Sequence, residues 1–122
     1  MMRIFLFLLL SLSISLSAED NKAYQKGAHL YFANGCANCH GTNAEGSSYY
    51  PRLANRKQKT LIKKLQNFKN GLADTQKQEI MFTFAKPLSQ QNIEDITYYL
   101  SHFTKIDTDK YDVEDDLLGV DY

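Results

Sequence analysis

Between Asn21 and Phe103 apolar side chains recur at steps of three and four residues. No stretch sustains the period-two alternation of a half-buried strand. Ala23, Gly27, Leu30, Tyr31 and Asn34 share one stripe, which predicts an amphipathic helix over Asn21–Asn34, ended by Gly35. A glycine in mid-helix costs about 1 kcal/mol relative to alanine, so this helix is expected to cross another at close range near Gly27. Residues 41–56 carry Gly41, Gly46, Ser47, Ser48 and Pro51, the punctuation of a loop. A second helix, starting at Lys57 or Thr60 and closing at Asn70–Gly71, turns Leu61, Leu65 and Phe68 inward and Lys57 and Lys64 outward. Gln76–Ala85 is a weaker helical or looping stretch. Ser89 is a candidate N-cap for a last helix through Phe103, striped by Ile93, Ile96, Leu100 and Phe103. The pattern predicts an all-α fold.

The chain begins differently. Met1-Met2-Arg3 leads into an apolar run, Ile4–Leu16, diluted with serines, and small residues at 15–18 precede Glu19-Asp20. That is the layout of a secretory signal peptide over residues 1–18, cleaved after Ser17 or Ala18. The run is shorter than the ~20 residues of a membrane span, so no transmembrane segment is expected after cleavage. About 104 residues remain from Glu19 onward, one domain by length. A body so small has a thin hydrophobic core, and a metal, disulfide or cofactor is expected to complete it.

The candidate for that role lies in Cys36-Ala37-Asn38-Cys39-His40. A C-x-x-C-H run reads as a c-type haem attachment site. Two thiols three residues apart can each bond one vinyl group of a single haem, and the adjacent histidine can then supply an axial nitrogen. The other readings are weaker. A structural zinc site needs four ligands, whereas this chain has two cysteines and three histidines, His29, His40 and His102, with no second C-x-x-C. A thioredoxin-like motif needs a βαβ context, and none appears. A disulfide closing so short a loop would stabilise little.

Charge is balanced in total, at 14 basic and 14 acidic residues, but not along the chain. Residues 52–69 hold Arg52, Arg56, Lys57, Lys59, Lys63, Lys64 and Lys69 with no acid, and residues 19–106 carry a net +5. Residues 107–122 carry −6 and read as a flexible acidic C-terminal tail beyond a 19–106 domain. A basic face can steer association with an acidic redox partner. Nucleic acid is not an expected partner for an exported haem protein without a strongly basic domain.

From Ala23 to Phe103 the chain resembles the small bacterial class I (monohaem) c-type cytochromes. Four ordered blocks carry the resemblance: Gly27-Ala28-His29-Leu30-Tyr31; Gly35 to Gly41 around the haem motif; Pro51-Arg52-Leu53-Ala54; and Met81 to Ser89 leading into Ile93 and Tyr99-Leu100. The resemblance implies the class I cytochrome c fold, a few helices around one covalently bound haem. It implies that Cys36 and Cys39 carry the haem, that His40 is the proximal ligand with its other ring nitrogen bonded to the Pro51 carbonyl, and that Met81 is the distal ligand. The first and last helices would cross, with Gly27 and Tyr31 near Tyr99. Asn92 departs from the acidic residue the family commonly has in the closing helix's first turn, and the tail after Phe103 lies beyond the pattern.

Met81 has support of its own. It is the only methionine left after signal cleavage, and a thioether ligand favours reduced iron and raises the potential. Its bland alternative is core filling. His29 and His102 are rival sixth ligands whose default is the surface. Arg52 is a candidate partner for a haem propionate, and Tyr49, Tyr50, Phe82 and Phe84 are candidates to wall the haem. The function expected is one-electron transfer in the periplasm by a His/Met-ligated monomer that is not an enzyme. Its expected partners are redox proteins, with terminal oxidases and periplasmic cytochrome peroxidases as the classes the resemblance suggests. The alternatives are a haem enzyme subunit, peroxidase-like or small-gas-converting, and a haem-based sensor with an open distal site.

Overall fold

A computed structural model describes residues 2–104, with side chains from Ala18 onward. The acidic segment 107–122 and the side chains of the N-terminal apolar run lie outside the described residues. Five helices follow in order: α1 (Met2–Ala33), α2 (Ala37–His40), α3 (Gln58–Lys69), α4 (Met81–Ala85) and α5 (Gln90–Ser101), with a 3₁₀ turn over Gln76–Ile80 before α4. No strand occurs among the described residues, and the fold class is all-α. Helix α1 starts well before Asn21, where the amphipathic stripe begins. No glycine or proline interrupts the chain between Met2 and Lys26, so nothing in the local chemistry stops the helix there. Among the described residues, no helix is long and apolar enough to cross a membrane.

The core forms where α1 crosses α5. A Cβ placed on Gly27 would lie 2.0 Å from the Asp95 carbonyl oxygen and 2.7 Å from Tyr99 Cβ. The missing side chain is therefore what lets the two backbones touch, the close crossing expected at this glycine. Tyr31, one turn further along, is fully buried, with its ring 5.7 Å from that of Tyr99. Tyr24 meets the other side of Tyr99 edge-on at 5.0 Å. Asp95 is buried in this crossing. Gln91 Nε2 donates to its Oδ1 at 3.0 Å, and the Lys26 ammonium lies 3.3 Å from Oδ2 without hydrogen-bond alignment.

Helix α5 begins where a cap permits. Ser89 has extended backbone and its Oγ accepts from the Asn92 N–H at 3.0 Å, satisfying one of the orphan amides of the first turn. Ile93, Ile96 and Leu100 are then buried, and Phe103 packs partly buried against them. Thr97 interrupts the apolar face yet is fully buried, its hydroxyl donating to the Ile93 carbonyl at 2.7 Å. Helix α3 presents Leu61 and Phe68 to the core. Gly71, at φ +73°, ends it, its N–H donating to the Phe68 carbonyl. The 41–57 loop is pinned to the end of α5, where the Asn55 N–H donates to the Leu100 carbonyl at 2.7 Å.

Gly27→Ala should destabilise the haem-loaded protein. Its clash falls on backbone, which cannot rotate away, and overpacking of this kind costs about 1–3 kcal/mol, more than the ~1 kcal/mol of helix propensity gained. Denaturant unfolding of the two proteins checks this, and equal or greater stability in the variant would remove the close crossing from the account.

Candidate functional site

The C-x-x-C-H run is delivered by the way α1 ends. Gly35 takes φ +75°, its N–H donates to the Phe32 carbonyl at 3.1 Å, and the Cys36 N–H donates to the Tyr31 carbonyl at 3.1 Å. These are the paired bonds of a Schellman terminus. The chain at once makes another helical turn, α2, closed by the His40 N–H on the Cys36 carbonyl at 3.0 Å. Cys36, Cys39 and His40 therefore stand three and four residues apart on one turn, the spacing that places side chains on a common face. Cys36 is half-buried and Cys39 exposed, both as free thiols. Burial pushes the Cys36 thiol pKa up, against the opposing effect of its own backbone hydrogen bond.

The imidazole of His40 is buried and held from its second nitrogen. Nδ1 lies 2.9 Å from the Pro51 carbonyl oxygen. A carbonyl only accepts, so Nδ1 is the donor of this contact, and in the neutral ring Nε2 is the nitrogen left with its lone pair. Three contacts hold the two partners in register. The Gly46 N–H donates to the His40 carbonyl at 2.8 Å. Gly46 itself, at φ +67°, has no room for a side chain, since a Cβ there would lie 2.5 Å from both Arg52 N and Tyr50 O. The fully buried Tyr31 donates its hydroxyl to the Gly41 carbonyl at 2.7 Å, just past the motif. Burial raises the Tyr31 phenol pKa well above its usual value, with the charges of Cys36, Tyr99 and Glu45 adding to the shift.

Other candidates are placed as follows. Pro51 and Arg52 are exposed, and the Arg52 carbonyl accepts from Arg56 Nε. Tyr50 turns its ring edge toward His40 at 6.2 Å, and hydrogen bonding to the neighbouring Cys39, with that thiol's charge, raises its phenol pKa. Met81 opens α4 half-buried, next to Phe82, which packs tilted on Phe68 at 6.4 Å. His29 is exposed on α1. His102 is exposed at the end of α5, stacked on Tyr98 at 4.2 Å, its Nδ1 3.0 Å from the Tyr98 carbonyl. Among the described residues no three His, Cys, Asp or Glu side chains converge as a metal-ion site. The hollows along α3, which share Lys64, Asn67 and Asp74, are lined by none of Cys36, Cys39, His40 and Met81.

The donor set suits a covalently attached haem: two free thiols on one turn, and beside them an imidazole whose Nε2 is left bare. Tyr31, Gly41 and Gly46 are the supporting residues that spacing alone does not single out as such. Along the chain the glycines read only as loop punctuation, and Tyr31 as part of an apolar stripe.

Comparison with known proteins agrees with this chemistry. The family model for cytochrome c matches residues 24–104. Over 85 residues the chain is 31% identical to cytochrome c-552 of Acidithiobacillus ferridurans, covering 69% of this chain but only 36% of that protein. Over 83 residues it is 34% identical to cytochrome c-554(547) of Halothiobacillus neapolitanus, covering 62% of this chain and 90% of that protein.

Tyr31→Phe should lower the stability of the haem-loaded protein by about 1–3 kcal/mol at neutral pH, because it strands the Gly41 carbonyl. The gap should then narrow with alkali. A phenol whose folded pKa is raised contributes stability that is complete below its unfolded value of 10.0 and is lost as pH rises through the folded value. The phenylalanine variant lacks this contribution and keeps only what the two proteins share, such as that of Tyr99. Unfolding curves from pH 7 to 11 check both parts.

Proposed function

The chain belongs to the cytochrome c family, whose members carry covalent haem c, and we propose that it is a periplasmic one-electron carrier with His/Met-ligated iron. The observation that carries the reading is the 2.9 Å contact between His40 Nδ1 and the Pro51 carbonyl. In the neutral ring it favours the tautomer whose Nε2 could bind a metal, and a hydrogen-bonded second nitrogen is what orients metal-bound imidazoles.

Cys36 and Cys39 would hold the haem, each thiol adding across a vinyl C=C with sulfur to one carbon and hydrogen to the other. Bound in this way, the haem supplies a centre that takes up and releases single electrons. His40 would give the iron a nitrogen ligand and Met81 a thioether ligand, and Arg52 would pair with a propionate. With both side chains on the iron there would be no open site for a substrate, and in this reading the protein acts as a carrier and not as an enzyme. What its own residues must do is keep ligands and haem nearly unmoved between oxidation states. The backbone locks around His40 serve that end.

Residues 1–18 are the proposed export signal, residues 19–106 the haem domain and residues 107–122 an acidic tail. The partners are redox proteins, with terminal oxidases and periplasmic cytochrome peroxidases as the classes in view, and the carrier works as a monomer. Lys57, Lys59 and Lys63 are exposed at and along α3, on a stretch without acidic residues, and this is the face offered to an acidic partner. Lys64 is already paired with Asp74.

Replacing both Cys36 and Cys39 by serine tests the attachment. The wild-type protein should keep its haem through denaturing electrophoresis and acid–acetone extraction. The double variant should lose it and most of its helical circular dichroism, since a domain this small relies on the haem for core. Haem retained by the variant through denaturation would refute the attachment, and a variant with undiminished helix would refute the core role.

A further inference from the structure

Two parts of the chain carry the proposed ligands. One is α2 with the 41–56 loop, which holds Cys36, Cys39, His40 and Pro51; the other is the 3₁₀ turn with α4, which holds Met81. The second part leans mainly on α3 and on its own turn, not on α2. Among the described residues, Phe84 and Lys77 reach from the second part toward the first. Phe84 of α4 reaches to 3.9 Å from where a Cβ on Gly35 would stand. On the exposed side, Lys77 Nζ sits 3.4 Å from the centre of the Tyr49 ring.

The Tyr49 end of this contact is rigidly presented despite its exposure. Ser47 Oγ accepts from the N–H groups of both Tyr49 and Tyr50 at 3.1 Å, and the Ser47 N–H donates to the Tyr50 carbonyl at 2.8 Å. The Tyr49 ring meets the Tyr50 ring edge-on at 4.9 Å, and Tyr50 in turn faces His40. Lys77 lies in the 3₁₀ turn four residues before Met81. Among the described residues no carboxylate lies within ion-pair distance of it, so the aromatic face is its charge partner there.

We propose that Lys77 and Tyr49 form a clasp that keeps the Met81 segment closed against the His40 half of the site. Both are positioning residues for the sixth iron ligand, and the proposal rests on the reading of Met81 as that ligand. The clasp acts through the backbone: Tyr49 is tied to the loop that orients His40, and Lys77 to the turn that leads into Met81. Holding these together limits how often the thioether swings away and a foreign ligand enters. An exposed cation–π pair is weak, so its loss should raise the frequency of opening by about two- to five-fold.

Imidazole binding to the full-length oxidised haem protein reads this opening. K77M and Y49L should each bind imidazole about two to five times faster than wild type, and the double variant no faster than either single one. K77R and Y49F keep the cation and the ring and should stay close to wild type. Hydrogen exchange in K77M should quicken at the amides of residues 78–85 and not at Gly41 or Gly46. A K77M rate equal to wild type, additive single effects or failure of K77R to rescue would each overturn the clasp. Met81→Ala separates the two readings: it should bind imidazole much faster, whether or not Lys77 is present. If Met81→Ala behaves as wild type, the ligand assignment has failed, and the clasp with it.

Discussion

A metal-binding imidazole must keep one nitrogen bare while the other holds the ring still, and most of this structure bears on that requirement at His40, the proposed ligand. The Pro51 carbonyl does the holding, but a carbonyl in a loop is only as fixed as its surroundings. Gly46 brings the loop backbone against residues 50–52 and bonds the His40 carbonyl. The Tyr31 hydroxyl grips Gly41 from the core. Tyr31 in turn is placed by the crossing at Gly27, where α1 and α5 touch through backbone. The path from the helix crossing to the imidazole runs through short contacts that each tolerate little change, as expected of a close-packed interior.

The proposed distal side, at Met81, is built differently. Met81 opens a five-residue helix supported by α3 and reached through a 3₁₀ turn, and the part-buried bond from Lys69 Nζ to the Leu88 carbonyl ties this segment to α3 only beyond that helix, seven residues after Met81. Weak, partly exposed links such as Lys77–Tyr49 therefore have more leverage there than they would in the core. Short elements with exposed backbone are drawn from the less stable parts of a fold. On the proposed ligand assignment the asymmetry suits a carrier, with His40 immobile beside the proposed attachment points and Met81 on a segment restrained from outside.

Much of this is legible along the chain because it is local. Ser89 announces α5, the three- and four-residue steps give the faces of α3 and α5, and an unexplained glycine in a helix points to the crossing. The C-x-x-C-H spacing states its chemistry outright. What is not legible is either too short or too distant in sequence. Helix α2 spans four residues, less than any periodicity can register. The amphipathic stripe places the start of α1 too late, because the apolar run before it has a different pattern yet no breaker separates the two. The bond from Tyr31 to Gly41, the approach of Gly46 to Pro51 and the burial of Asp95 against α1 depend on which backbones meet, and residue spacing does not encode that. Lys77 and Tyr49 are 28 positions apart and look in sequence like an ordinary surface charge and an ordinary aromatic.

The protonation of His40 is the direct test. In ¹⁵N-labelled reduced haem protein, the account predicts a histidine Nδ1–H slow to exchange with solvent. The same ring should have no proton on Nε2, and its carbon-bound protons should be displaced far from the range of His29 and His102. All of these signals should vanish in His40→Ala. A proton found on Nε2 of His40, or His40 ring protons at ordinary positions, would contradict the central claim that the Pro51 carbonyl prepares this imidazole to bind iron.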